Sequence, residues 1–228
     1  MPYALSPLRL ARGAIICCKR GVTQSSAIIQ EKTALRERMR AWRNGLDSAS
    51  KVRAAEAIAV RGVEIVQELR GPGGQGVVSG FASLPEELNV WQLLRRLSLA
   101  GVPLALPVVA RKGQPLVFRA WTPGDAMDKG VWDIPEPRAD KPVLAPDILL
   151  VPLLAFDGYG CRLGYGGGFY DRTLAGLRTM KPIIAIGLAY DEQRVDAVPH
   201  LDYDQRLDWV LTPSGPIRCQ HDAPVVSR

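Results

Sequence analysis

Between Asp157 and Asp171 the chain sets six glycines in fifteen residues, with Arg162 inside the run and Asp171 closing it. The apolar stretch Asp147–Phe156, interrupted near its end by Pro152, reads as a buried strand. Phe169, Leu174 and Leu177 recur at helical spacing on the other side. A strand, a glycine loop and a helix N-terminus together present free backbone N–H groups and a favourable dipole to an anion. Glycine lets such a backbone take positive φ and come close to a phosphate. Arg162 is the residue type that holds phosphate through two parallel hydrogen bonds. The chemistry implied is phosphate binding. The loop fits neither GxGxxG nor the Walker pattern, so its spacing is of a more specialised kind. Gly71–Gly76 does match GxGxxG letter for letter, but a helix precedes it and a strand follows, so it reads as a helix-to-strand loop.

Other residues able to do chemistry lie outside this loop. Ser83-Leu84-Pro85-Glu86 has the form of a capping box, which gives Glu86 a structural task. Glu87 is left without one, beside the carboxyl end of a strand, where ligands of open α/β sheets bind. Trp132 sits in an irregular, proline-rich stretch, residues 122–146, of the length that is usually functional. It could stack on a flat ligand, but spacing alone favours a place in the core. Asp171 in a first helical turn is favourable against the dipole without any metal; Asp208, in a strand, has no such explanation. Lys32 and Arg36, with Arg38, Arg40 and Arg43, read as solvated charges on a helix.

The elements that must position these residues alternate in type. Leu35, Met39, Trp42 and Leu46 form one stripe of a helix starting near Glu31. A second helix spans 48–70, with Val52, Ala55, Ala59, Val63 and Val66 inward. Strands are expected over 77–82, 103–109 and 114–121, with a helix from Ser83 to Ala100 whose inner face is Val90, Leu93, Leu94 and Leu97. A buried strand over 182–189 and a last strand over 206–212 follow. This order defines an α/β fold with a mostly parallel sheet in one domain. Residues 1–30 read as a disordered extension and 213–228 as a C-terminal tail, leaving 31–212 as the functional domain.

Of the net charge of +6, residues 1–30 carry +4, from Arg9, Arg12, Lys19 and Arg20 without an acid. The body is therefore close to neutral, which argues against a nucleic-acid-binding module. The four cysteines form no CxxC pair, and the only histidines are His200 and His221. A zinc site or disulfide framework is not expected, and a reducing cytoplasm is the simplest compartment. No apolar stretch approaches a membrane span, and residues 14–18 are short for a secretory core.

The run Arg162-Leu163-Gly164-Tyr165-Gly166-Gly167-Gly168-Phe169-Tyr170-Asp171-Arg172 resembles the signature of the 5-formyltetrahydrofolate cyclo-ligase (methenyltetrahydrofolate synthetase) family. Lys32-Thr33-Ala34-Leu35-Arg36, Glu86-Glu87-Leu88 and Trp132-Asp133-Ile134-Pro135-Glu136-Pro137 match in the same order, over about residues 31–212. The resemblance implies a three-layer α/β/α sandwich. It also implies an enzyme that uses ATP and Mg2+ to convert 5-formyltetrahydrofolate to 5,10-methenyltetrahydrofolate. Phosphorylation of the formyl oxygen would let N10 close the ring, with ADP and phosphate released. By the same resemblance Lys32 to Arg36 and Arg162 to Tyr170 would bind ATP. Ala82, Glu87, Trp132 and Tyr165 to Phe169 would hold the folate, Glu87 and Arg162 would be catalytic, and Asp171 and Asp208 would support the metal. The partners implied are these small molecules, bound by a monomer. Gly167 stands where some family members carry lysine, and Phe169 where tyrosine is common. The competing reading is a paralogue that binds nucleotide or folate without this turnover.

Overall fold

The computed structural model describes residues 16–71 and 73–221, with side chains from residue 25 onward. The predicted first stripe does form a helix, α1 (Ile16–Asn44), but it starts well before Glu31. Adding turns to a helix that is already nucleated is nearly neutral, so the packed segment carries its upstream residues with it. Residues 16–30 of the expected extension are thus helical, and residues 1–15 lie outside the described residues. Helix α2 (Ser48–Arg70) has the expected bounds: the Asp47 carboxylate accepts from the Ser50 amide at its start, and Gly71, at φ 68°, closes it. Its buried face is Ala54, Ala55, Ile58, Ala59, Gly62, Ile65 and Val66; Val52, expected inward, is exposed.

Strand β1 (Val78–Ser79) lies in the centre of the sheet. The chain after it does not enter a helix at Ser83. Ser83 and Glu86 form no capping box: the Val90 amide donates to Ser83 Oγ, and the Leu84 amide donates to Glu87 Oε2. Short polar side chains that bond nearby amides in this way compete with helix, and α3 (Trp91–Leu99) starts late. Val90, Leu93, Leu94 and Leu97 are buried as expected.

Strands β2 (Leu104–Val108) and β3 (Val117–Ala120) pair antiparallel. The irregular stretch folds into a two-stranded ribbon, β4 (Met127–Lys129) with β5 (Pro135–Pro137), joined by a single 3₁₀ turn at Val131–Asp133. The strand read over 147–156 divides at Pro152 into β6 (Ile148–Pro152) and β7 (Ala155–Phe156). β7 pairs antiparallel with β8 (Arg162–Leu163) inside the glycine loop. Helix α4 (Phe169–Met180), β9 (Ile184–Leu188) and β10 (Trp209–Thr212) complete the expected order. The chain does not trail off at 213: β11 (Gly215–Arg218) turns back and pairs antiparallel with β10. Gly215, at φ 146°, helps the chain to reverse there.

The sheet runs β11-β10-β9-β6-β1-β2-β3, with the five inner strands parallel and both edges antiparallel. Alternate residues sort to its two faces. Leu104, Leu106, Ile148, Leu150, Ile186 and Leu188 face α2 and α3; Ala105, Leu149, Val151, Ala185 and Val210 face the α4 side chain Leu174. The result is the three-layer α/β/α sandwich. Helix α1 straddles the layers: Trp42, with Leu46 just past the helix end, packs on the α2–α3 core, whereas Leu35 and Met39 pack with Leu154 and with Ala155 and Leu163 of the β7–β8 ribbon.

Candidate active site

The carboxyl ends of β1, β2 and β6 open into a cavity of about 630 Å³. Phe81 and Ala82 line it after β1, Pro107 and Val109 at the end of β2, and Pro152 at the end of β6. The glycine loop forms its long wall, residues 162–171 all lining it. Gly168 caps α4 in a left-handed conformation, φ 64°, and a Cβ there would lie 2.8 Å from Arg172 Nη1. Arg172 Nη2 in turn donates to Gly167 O over 2.6 Å, so the loop is fastened by its own helix. Among the described residues, no hydrogen bond is donated by the backbone amides of 164–168. They are unspent donors at a helix N-terminus, as an anion requires.

Cations surround this loop. On α1, Lys32 and Arg36 lie one turn apart and both line the cavity. Arg36 Nε donates to Gly164 O at 2.9 Å, and burial, followed by repulsion from Arg40, lowers its pKa. Lys32 is buried and ion-paired with Asp204. Thr33, Ala34 and Leu35, expected to bind beside them, do not line the cavity: Thr33 and Ala34 are exposed and Leu35 lies in the core. A helix presents one residue per turn to a given face, so a contiguous run of five could not share it.

Arg162 is buried, with Nη1 donating to Gln205 O and Nη2 to Asp171 Oδ1 at 2.8 Å. The Gln205 amide donates to the same carboxylate oxygen at 3.0 Å. Each Nη retains a second hydrogen, so Arg162 is a fixed charge with one spare donor on each terminal nitrogen. Asp208 is not brought to Asp171. It precedes β10, at the amino end of the parallel strands, where its carboxylate accepts from Arg178 and the Ala185 amide. The cavity wall does not include it. Its strand-end position and cationic partner supply the structural task that sequence alone did not reveal.

Glu87 is buried in the cavity wall. Its pKa is raised chiefly by desolvation, against the opposing pull of the Tyr165 hydroxyl, then the Leu84 amide and the Arg43 charge. The Tyr165 hydroxyl makes no hydrogen bond of ordinary geometry, although it lies close enough to Glu87 and Arg43 to interact electrostatically. Trp132 is not a core residue. It is 65% exposed, with φ 59°, at the tip of the β4–β5 ribbon, and its ring meets Phe169 edge-on at 5.9 Å. Asp204, Tyr203 and Leu201 also line the cavity, although 199–205 carried no signal beyond that of a loop. Arg43, read as a solvated charge, is almost wholly buried behind Glu87.

The fold and the cavity define an α/β protein in which a glycine loop with unspent amides and a buried carboxylate line one chamber. The chain belongs to the 5-formyltetrahydrofolate cyclo-ligase family, whose model matches residues 28–213. It is 38% identical over 142 residues to the 5-formyltetrahydrofolate cyclo-ligase of Escherichia coli (strain K12), covering 60% of this chain and 78% of that one. It is 29% identical over 187 residues to the enzyme of the same name from Haemophilus influenzae, covering 80% and 97%. A solved structure of Aquifex aeolicus 5,10-methenyltetrahydrofolate synthetase superposes with a TM-score of 0.65 at 23% identity, covering 86% of this chain and 96% of that one. That last likeness is one of fold.

Proposed function

We propose that this chain converts 5-formyltetrahydrofolate to 5,10-methenyltetrahydrofolate at the expense of ATP, in the cavity at the carboxyl edge of its sheet. One observation carries the reading: a single chamber unites the glycine loop, the cations Lys32, Arg36 and Arg162, and the buried Glu87. Phosphates would lie on the amides of 164–168 and between the cations. This is positioning and charge neutralisation, the contribution phosphoryl transfer asks of a protein. The folate would take the apolar side, with Ala82 and Phe81 below it and Trp132 and Phe169 at the mouth.

The formyl group is amide-like and a poor electrophile. Transfer of the γ-phosphoryl group to its oxygen makes a leaving group, N10 attacks the carbon, and phosphate departs as the ring closes. N10 loses a proton in that step. Four carboxylates line the cavity, Glu87, Glu136, Asp171 and Asp204, and the last two are paired with cations. Glu87, buried and with its proton affinity raised, is the base best placed to hold N10 and receive that proton.

For magnesium, the donor set on offer is sparse. Among the described residues no group of three or more His, Cys, Asp or Glu could hold an ion. Mg2+ commonly keeps several waters and binds through one or two carboxylates plus substrate phosphates, so one carboxylate beside the phosphate loop fits it. Asp171 would be that ligand, since both hydrogen bonds it accepts from Arg162 and Gln205 use Oδ1. Bound there, the ion would neutralise charge on the phosphates. We take the unit to act as a monomer in a reducing compartment. No helix among the described residues is long and apolar enough to cross a membrane.

The test is the growth of the methenyl absorbance when purified protein meets 5-formyltetrahydrofolate, ATP and Mg2+. Growth that requires all three is the expected result. A folded protein that binds ATP and leaves the spectrum unchanged would instead support the non-catalytic paralogue.

A further inference from the structure

Arg43 has no role in the reaction described above, and its environment is unusual. It is one of the largest fully buried side chains, yet Nε and Nη2 have no hydrogen-bond partner. It forms no salt bridge among the described residues. Its guanidinium lies over the Tyr165 ring, 5.5 Å from the centroid. A second, small space of about 10 Å³ lies beside it, lined by Arg43, Glu87, Phe81, Leu88, Pro152 and Gln193 among others. That volume is about what one water molecule needs. Gln193 is already committed, its amide donating to Leu153 O and Leu154 O and its carbonyl accepting from the Tyr190 amide. The polar groups free to use this space are the guanidinium on one side and the Glu87 carboxylate on the other.

A buried, unpaired guanidinium is costly to a fold, and an aliphatic side chain of similar length would remove that cost. Its position behind a buried carboxylate supplies a physical reason to keep it. We propose that Arg43 is a positioning residue that keeps Glu87 ionised and turned toward the cavity, acting across the small space through one bridging water. Glu87 is packed by few other charges. Glu86, on its own segment, opposes its ionisation; Tyr165 from the loop and Tyr170 from α4 are neutral hydroxyls whose own pKa values its charge pushes up. Arg43, from α1, is the one cation among the groups that shift Glu87. The inference rests on the role of Glu87 given above, and deepens it: helix α1 would serve the phosphates with Lys32 and Arg36, and the base with Arg43.

The experiment titrates Glu87 directly in the full chain, by the 13C shift of its side-chain carboxyl in glutamate-labelled protein, assigned with Glu87→Gln. In Arg43→Met the midpoint should rise by about one pH unit or more, a tenfold gain in proton affinity, because the ionised form has lost its countercharge. Arg43→Lys should fall between the two. Because the ionised native state loses its countercharge, the melting temperature of Arg43→Met relative to the parent should fall as pH rises through the Glu87 midpoint. An unchanged midpoint in a folded Arg43→Met protein would overturn the proposal, as would a lowered melting temperature with an unmoved midpoint. The carboxyl shift is read without turnover, so a missing methenyl signal in the wild-type chain would count against the proposed reaction and not against this coupling. If turnover is present, the acidic limb of kcat should move up with the midpoint.

Discussion

Glu87 shows how a single side chain can oppose the fold that holds it. Burial raises its carboxyl pKa above the ordinary 4.5. Between that value and the folded midpoint the native state holds a proton that the unfolded chain has released, so stability falls as pH rises through this window. Glu87→Gln removes the effect. We expect it to abolish ring closure, leave ATP affinity within about twofold, and gain thermal stability over the parent as pH rises through that window. Melting curves across that range, beside ATP titrations, check both halves; a variant that loses ATP affinity would mean that Glu87 faces the nucleotide. At Asp171 the neighbouring charge is Arg162, held at 2.8 Å. Asp171→Asn should raise the magnesium concentration for half-maximal turnover by about tenfold, the scale expected when a carboxylate ligand or its support is lost. An unchanged metal titration would reduce Asp171 to the anchor of Arg162. Both residues could be singled out in the sequence. The demotion of Asp208 could not be read there, because its partners Arg178 and Ala185 are distant in the chain.

At the scale of elements, the glycine loop and α4 form one device. Gly168→Ala forces a left-handed alanine and drives a methyl group toward Arg172, and we expect it to cost about 1–2 kcal/mol of stability. Because Arg172 also holds Gly167 O, the KM for ATP should rise more than the KM for folate. Equal changes in the two would show a general loss of packing. A different close approach joins α2 to α3: a Cβ at Gly62 would lie 2.6 Å from Leu93 Cδ1. Gly62→Val should therefore cost about 1–3 kcal/mol by overpacking, measurable as a lower denaturant midpoint with the slope unchanged. Strand–loop–helix order at 147–180 could be read from the sequence, since apolar runs and glycine spacing are local. The region 83–90 could not. Ser83 and Glu87 bond amides seven and three residues away, and the choice between cap and turn depends on where Glu87 packs.

For the whole molecule, α1 is the element that closes the site. It contributes Ile29, Lys32 and Arg36 to the cavity and packs Leu35 and Met39 on the β7–β8 ribbon. Removal of residues 1–24 should leave turnover within about twofold, because the residues of α1 that line the cavity begin at Ile29. Removal of residues 1–33, which takes Lys32, should raise the KM for ATP by tenfold or more, the size of effect that losing a charged contact to a phosphate brings. Equal activity of the two truncations would mean that the phosphates do not reach α1.

By itself the sequence determined most of the strand and helix order and pointed to a phosphate loop and to Glu87 as a residue without a structural task, while Lys32 and Arg36 stood out only through the family motif. Those readings rest on local periodicity, glycine content and contiguous motifs. Tertiary structure decided what depends on partners remote in the chain. It turned Thr33, Ala34 and Leu35 away from the cavity, placed Trp132 at its mouth and set Asp208 at the opposite end of the sheet. It also buried Arg43 behind Glu87. Helical and strand periods say which residues share a face. Only packing of α1 against the β7–β8 ribbon says which face meets the ligand, and which charge is taken out of water.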